Sequence, residues 1–350
     1  MERAVFRIID ANYNRAREAL RAIEEFCRFG LNCELLSGKI KNLRHQLSQN
    51  ISMLDSAKLI ASRDTENDVG VGMVVENQFA RTSLFDSVKA NFARLTEALR
   101  VLFEMIAPAS SSIANSIENI RYQAYILEKE VIMFADGYQK FQKVQLYVII
   151  TSTTAAEIKE LTKKCINGGA DCIQLRAKGI ISDEKLFELA NMFVEAAQKS
   201  SALTILNDRI DIAIASNADG VHLGDEDLPV PVAKSLMITP IIVGKTTHNM
   251  AELEKAIVQM PTYVGLGPAF ETATKPNLSP AGLSYITSAV ERLSDAGVGH
   301  VAIGGITLGN VDKILQAGAK AVAVSAAIQN SKEPEMTCRE FKKKLAASNC

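Results

Sequence analysis

The chain has no CxxC pair, no GxxxxGK[ST] loop, no GxGxxG after its first strand-like run and no long uncharged apolar stretch. Each absence removes a class of function. The six cysteines (Cys27, Cys33, Cys165, Cys172, Cys338 and Cys350) are scattered without metal-ligand spacing. They read as buried or incidental thiols in a reducing cytoplasm, not as a disulfide frame or a zinc site. Without a P-loop, the commonest nucleotide cradle is excluded, and without the dinucleotide fingerprint a doubly wound open sheet is disfavoured. No window suits a membrane span, and the opening MERAVFRIID lacks a signal-peptide core. A net charge of −1 argues against nucleic acid or a membrane surface as the main partner.

What is present is an ordinary globular composition, 47% hydrophobic and 23% charged, over 350 residues. That length suits two domains, or one large barrel with an extension. Nothing in it fixes the oligomeric state, and a homo-oligomer is compatible with it.

Residues 1–138 read as an all-helical domain, with 3.6-residue periodicity and few β-branched runs. Arg15–Phe29 puts Ala16, Ala19, Leu20, Ile23 and Phe26 on one stripe. Further helices are expected over Glu34–Met53, Ser83–Ile106 and Ile113–Phe134, the last stopped at Asp136-Gly137. An internal repeat joins ANYNRAREALR (11–21) to ANFARLTEALR (90–100). Asn12, Arg15 and Glu18 fall on neighbouring turns, as do Asn91, Arg94 and Glu97. Two readings fit: amphipathic helices of one bundle joined by ion pairs, or a pseudo-twofold pair lining a polar site. Between the copies, Ser62–Gly70 carries Arg63, Asp64 and Asp68. Such a loop is usually only solvated, and its residue types would also serve a phosphate–metal site.

From residue 139 onwards the texture changes to α/β. Apolar runs recur at Val144–Ile150, Asp171–Leu175, Leu203–Leu206, Gly220–Leu223, Ile241–Gly244, Tyr263–Gly267, His300–Gly304 and Ala321–Ser325. Helical patterns lie between them. Eight alternations in this span predict a (β/α)8 TIM barrel over 139–350, with its function at the strand C-termini.

The residues after those runs carry the chemistry. Alternation points Gln174, Arg176 and Lys178 the same way. Asn207-Asp208 follow the third run, and Asp225, Glu226 and Asp227 follow the fourth. Asp208 and Asp227 are the carboxylate pair for a hard cation such as Mg2+. Taken alone, Asp208 reads equally well as a helix N-cap. Thr246 follows the fifth run, and Thr272, Ala273, Thr274 and Lys275 lie on a hydroxyl-rich loop after the sixth. Gly304-Gly305 and Ser325-Ala326 offer backbone N–H groups to a phosphate. His222 and His300 read as structural, and His248 has no evident orienting carboxylate.

Six ordered motifs, QLRAK, LNDR, DGVHLGDED, GKTTH, YVGLGPAFETATK and AIGGIT, make residues 143–345 resemble thiamine phosphate synthase. The resemblance implies joining 4-amino-2-methyl-5-(diphosphooxymethyl)pyrimidine to a thiazole phosphate, with release of pyrophosphate through a pyrimidinylmethyl cation. It assigns Gln174, Arg176, Lys178, Asn207, Thr246 and Lys275 to the pyrimidine diphosphate. Thr272–Thr274, Gly305 and Ser325-Ala326 fall to the thiazole phosphate, and Asp208 and Asp227 to Mg2+. Arg176, Lys178 and Lys275 would neutralise the leaving group. Four positions depart from the pattern: Lys245-Thr246 stands where Val-Ser is frequent, Ala326 where Ser is, and Ala177 where Glu is.

Residues 1–138 resemble a helical domain fused to some members and associated with phosphorylating the pyrimidine monophosphate. That implies ATP as a co-substrate, with Arg63, Asp64, Asp68 and the repeat residues as candidates. A thiazole tautomerase on the same barrel is the second enzymatic reading; it would need neither the diphosphate cations nor the acids. A non-catalytic assembly or regulatory module is the second reading of the helical part.

Overall fold

The computed structural model describes residues 2–347 except 71, 74–80, 180, 238–240 and 273–278. The chain divides into two compact units, Met1–Ile132 and Met133–Cys350, and the division falls inside one helix.

The first unit holds α1 (Glu2–Glu25), a π-helical turn (Phe26–Gly30), α2 (Glu34–Ile51), α3 (Ser56–Ala61), α4 (Leu84–Ile106) and most of α5 (Ser111–Phe141). The repeat explains its core: α1 and α4 pack on each other. The shared Ala-Leu pairs, Ala19-Leu20 and Ala98-Leu99, are buried. The repeated Arg and Glu face outward, as amphipathicity demands. The expected interhelical ion pairs of the repeat do not form among the described residues. Arg21 pairs with Glu24 and Glu25, and Arg100 with Glu104, each within its own helix.

The barrel begins with β1 (Leu146–Ile150), α6 (Ala155–Asn167), β2 (Cys172–Leu175), α7 (Asp183–Ala197), β3 (Leu203–Asn207) and α8 (Ile210–Ala215). Then come β4 (Gly220–Leu223), α9 (Val230–Ser235), β5 (Ile242–Thr247), α10 (Met250–Gln259), β6 (Tyr263–Leu266) and α11 (Gly282–Leu293). It closes with β7 (Gly299–Ile303), α12 (Val311–Gln316), β8 (Val322–Val324), α13 (Ala326–Gln329) and α14 (Pro334–Ala347). All pairings are parallel, and β8 returns to β1 to close the barrel. The short apolar strands are covered by helices outside and fill the interior with Tyr147, Ile205, Tyr263 and Val301.

Most expected boundaries shift by a residue or more, and two of the shifts bear on the barrel. Helix α5 does not stop at Asp136-Gly137 but runs on to Phe141. A Cβ built on Gly137 would lie only 3.0 Å from Thr262 Oγ1, so this glycine permits close packing instead of ending the helix. The extra turn delivers Phe141, whose ring stacks on Tyr263 at 4.0 Å between centroids and becomes part of the barrel core. Strand β5 runs past Gly244 to Thr247, in register with Leu266. Thr247 Oγ1 donates to the Gly265 carbonyl and accepts from Tyr285 Oη, which holds those last residues in the sheet.

Candidate active site

The strand C-termini surround a cavity of about 500 Å3. On β2 and just past its end, period-two alternation turns Gln174 and Arg176 into it, both buried, and Lys178 stands exposed at its rim. Gln174 is 2% exposed, and its Nε2 has no hydrogen-bond partner among the described residues. A stranded buried amide costs about 1–3 kcal/mol, a cost a ligand acceptor would remove. Burial pulls the Arg176 guanidinium pKa down, while Asp208 acts to raise it.

Asp208 has a left-handed backbone, φ 67°, pinned by its N–H to the His222 carbonyl at 2.8 Å. It does not cap the following helix: Arg209 occupies the N-cap of α8. Its carboxylate instead meets that of Asp227, and desolvation, then this contact, raises its pKa to about 6. Lys178 and Arg176 act against that rise. Asp227 Oδ2 accepts from the Gly224 N–H at 2.5 Å.

A carboxyl group raised in this way holds its proton in the folded state where the unfolded chain has lost it. Its contribution to stability is therefore present below about pH 4 and lost as pH rises through about 6. Asp208→Asn is accordingly expected to raise the metal-free unfolding temperature at pH 8 and to leave it unchanged near pH 4. Thermal melts at the two pH values check this, and a variant no more stable than wild type at pH 8 would contradict the raised pKa.

The cavity floor carries a chain of hydroxyls and one imidazole. Tyr147 Oη meets Tyr263 Oη, Tyr263 Oη meets His222 Nδ1, and His222 Nε2 meets Thr246 Oγ1, each at 2.9 Å. Tyr147 has no other hydrogen-bond partner among the described residues, so the order that strands no buried proton runs from Tyr147 toward Thr246. This assignment comes from the network. It leaves the Thr246 hydroxyl to donate into the cavity.

His248 gains what the sequence did not reveal. Glu252 Oε2 lies 3.0 Å from its Nδ1, and Asp225 Oδ2 lies at 3.4 Å. The i,i+4 spacing of His248 and Glu252 was the available signal. Glu252 also accepts from the His248 N–H and from Asn249 Nδ2, so both its oxygens complete the N-terminus of α10. His300 is structural: its Nε2 accepts the Lys320 N–H, and burial holds its pKa down at about 4.

On the far side, Gly304 and Gly305 have positive φ, 100° and 64°. A Cβ on Gly305 would collide with the Glu271 carbonyl, so only glycine lets the loop after β7 pass this close to the loop after β6. Asn310 fixes the turn by donating to the Gly305 carbonyl at 2.9 Å. Ser325 spends its hydroxyl on the Ile149 carbonyl at 2.9 Å, leaving its backbone for a ligand. Gln174, Arg176, Lys178, Asn207, Asp208, Thr246, Thr272, Gly305, Ser325 and Ala326 all line the one cavity. Ala273, Thr274 and Lys275 lie outside the described residues.

In the helical unit, the structure joins some candidates and separates others. Arg63 donates to both oxygens of Asp10, at 2.7 and 2.9 Å, and Arg7 reaches toward Asp64 and Asp68 at 4.0 and 3.7 Å. Asn12 and Asn91 donate to the carbonyls of Ile8 and Ser87 in their own helices. Arg15, Glu18, Arg94 and Glu97 are exposed. Asp10 was missed; an acid beside the buried Ile9 was its only trace in the sequence.

The family model described as "Thiamine monophosphate synthase" matches residues 146–328. A "Thiamine-phosphate synthase" of Thermosynechococcus vestitus is 36% identical over 342 residues, 97% of this chain and 95% of the relative. The chain belongs to the thiamine monophosphate synthase family. Another "Thiamine-phosphate synthase" of this kind, from Prochlorococcus marinus strain MIT 9313, is 39% identical, covering 95% of this chain and 94% of its own. Among solved structures, the thiamine phosphate pyrophosphorylase from Pyrococcus furiosus aligns at a TM-score of 0.53 and 29% identity. It covers 60% of this chain and 98% of its own. The helical part matches the "ThiD2 family" over residues 7–130. Thiamine monophosphate synthases are transferases, and this member adds a helical unit to the barrel. No helix among the described residues is long and apolar enough to cross a membrane.

Proposed function

We propose that the barrel joins the pyrimidine methyl diphosphate to the thiazole phosphate and releases pyrophosphate. The observation that carries this reading is the convergence of a buried cation, an unpartnered amide and Asp208 on one cavity, with Asp227 meeting the Asp208 carboxylate from the turn after β4. Asp208 and Asp227 fit a divalent cation. Both ligands are hard oxygens, and their mutual repulsion is what a cation relieves. Bound Mg2+ would neutralise charge on the departing pyrophosphate.

The remaining chemistry falls to the chain's own residues. Arg176 and Lys178 stabilise the diphosphate as the methylene C–O bond breaks and its electron pair leaves with pyrophosphate. Lys275 takes the same role by the family resemblance. Gln174 and Thr246 orient the pyrimidine, with Asn207 beside the diphosphate. The thiazole phosphate is held by the backbone N–H groups at Gly305 and Ser325-Ala326, together with the Thr272–Thr274 loop. The thiazole nitrogen lone pair then forms the new C–N bond to the pyrimidinylmethyl cation. No general base is required at the bond-forming centre. A tautomerase reading is not favoured, because it leaves Arg176 and the two acids without work. Five buried cysteines without metal-ligand spacing support a cytoplasmic location.

For the helical unit we propose an ATP-dependent phosphorylation of the pyrimidine monophosphate, supplying the barrel with its diphosphate. The Arg7–Asp10–Arg63–Asp64 constellation supports it. One assay tests both activities. The full chain is given thiazole phosphate and Mg2+ with either the diphosphate, or the monophosphate plus ATP. Both routes should yield thiamine phosphate, and Arg63→Ala should lose only the second. No product from the diphosphate would sink the synthase reading. Product from the diphosphate alone in the wild-type protein would sink the kinase.

A further inference from the structure

Lys245 has no part in the reaction described above. We infer that Lys245 is a positioning residue for the metal carboxylates, holding the turn after β4 in the shape that directs Asp227 at Asp208. The inference rests on the proposed cation site.

The strand geometry sends Lys245 there. Its neighbour Thr246 lines the cavity, so alternation turns Lys245 to the other face of β5. Across the ladder its register partner is Leu223, the last residue of β4, so its side chain extends over the turn that follows. There Nζ donates to the Gly224 carbonyl oxygen, with Asp225 Oδ1 at 4.0 Å. The Gly224 N–H meanwhile goes to Asp227 Oδ2 at 2.5 Å. One residue is thus held on both sides, its amide by the metal carboxylate and its carbonyl by the lysine.

Charge gives the same reading. Asp225, Glu226 and Asp227 are three consecutive acids, whose repulsion opposes a tight turn. Lys245 brings a cation into that turn, and its side chain is only 13% exposed. An ammonium so withdrawn from water needs committed acceptors, unlike a free surface lysine. Residues that orient a metal ligand from behind typically change metal affinity by about 10- to 100-fold.

The test uses the full chain with Mn2+ as a spectroscopic probe of the site, in wild type, Lys245→Met and Lys245→Arg. Lys245→Met should weaken Mn2+ binding, read by electron paramagnetic resonance without substrates, by about 10-fold. The KM for Mg2+ should rise in parallel, with kcat at saturating Mg2+ retained. Lys245→Arg should keep most of the affinity, since its N–H groups can reach the same carbonyl. A folded Lys245→Met protein with unchanged Mn2+ affinity overturns the inference. Equal weakening in both variants overturns the donor role. If wild type binds no Mn2+, or if its binding survives Asp208→Ala, the cation site itself is refuted and the inference falls with it. That failure is distinguishable from the others because it shows in proteins that retain Lys245.

Discussion

Asp208→Ala and Asp227→Ala are each expected to reduce Mg2+-dependent turnover by about 10²- to 10³-fold while leaving the barrel folded. The reasoning joins position to charge. Both residues lie just past strand ends, outside the apolar interior formed by Tyr147, Ile205 and Tyr263. Neither caps a helix in a way the fold depends on: the N-cap of α8 is Arg209 and that of α9 is Pro229. What each contributes is half of a carboxylate pair in which desolvation, and then the contact with Asp227, raises the Asp208 pKa to about 6. Removing one acid therefore relaxes the metal-free protein and deprives the cation of a ligand at once. Steady-state rates against Mg2+ concentration, paired with circular dichroism, read both effects. Full activity in either variant would remove the metal assignment. A folding loss large enough to explain the rate would show the acids to be structural.

Arg176→Met is expected to lower kcat with the diphosphate by about 10²- to 10³-fold, the range typical of losing a preorganised group that meets developing charge. Arg176 is 9% exposed, and the cost of burying it is already present in the folded chain. A cation fixed in a desolvated place acts on a departing pyrophosphate far more strongly than one in water. Lys178, exposed at the rim, is screened, and Lys178→Met should cost less. Methionine preserves most of the volume of the buried stem, so packing loss does not mimic the effect. Inhibition by added pyrophosphate provides the second readout and should weaken in the same order. Equal losses in the two variants, or no change in pyrophosphate inhibition with Arg176→Met, would show that burial is not what gives Arg176 its weight.

Much of this was legible before the fold. The eight apolar runs became β1–β8 in order, with ends moved by a few residues at most, because a parallel strand covered on both faces must be apolar throughout. Most of the described residues placed after those runs line one cavity, Asp227 excepted, because parallel strands in a closed barrel end at the same rim. The errors were of a different kind. Gly137 carries the same local signal whether it ends a helix or lets one pass close to Thr262, and only the neighbour decides. Lys245, Thr246 and Thr247 looked like loop because they are polar, and they are strand because Gly265 and Tyr285 bond to Thr247 from elsewhere in the chain. The repeat foretold the α1–α4 packing through its Ala-Leu pairs, whereas Asp10 became visible only when Arg63 met it 53 residues away.

By itself, then, the sequence determined which elements form, in what order, and which residues stand at the C-terminal rim of the barrel. Those properties depend on periodicity and on residues near one another in the chain. The tertiary structure alone decided the partnerships: Asp208 with Asp227, His222 between Tyr263 and Thr246, His248 against Asp225, Lys245 on Gly224. Each joins groups carried by different strands or loops. Whether a carboxylate faces water, a cation or another carboxylate is settled only when the barrel closes and brings those strand ends together.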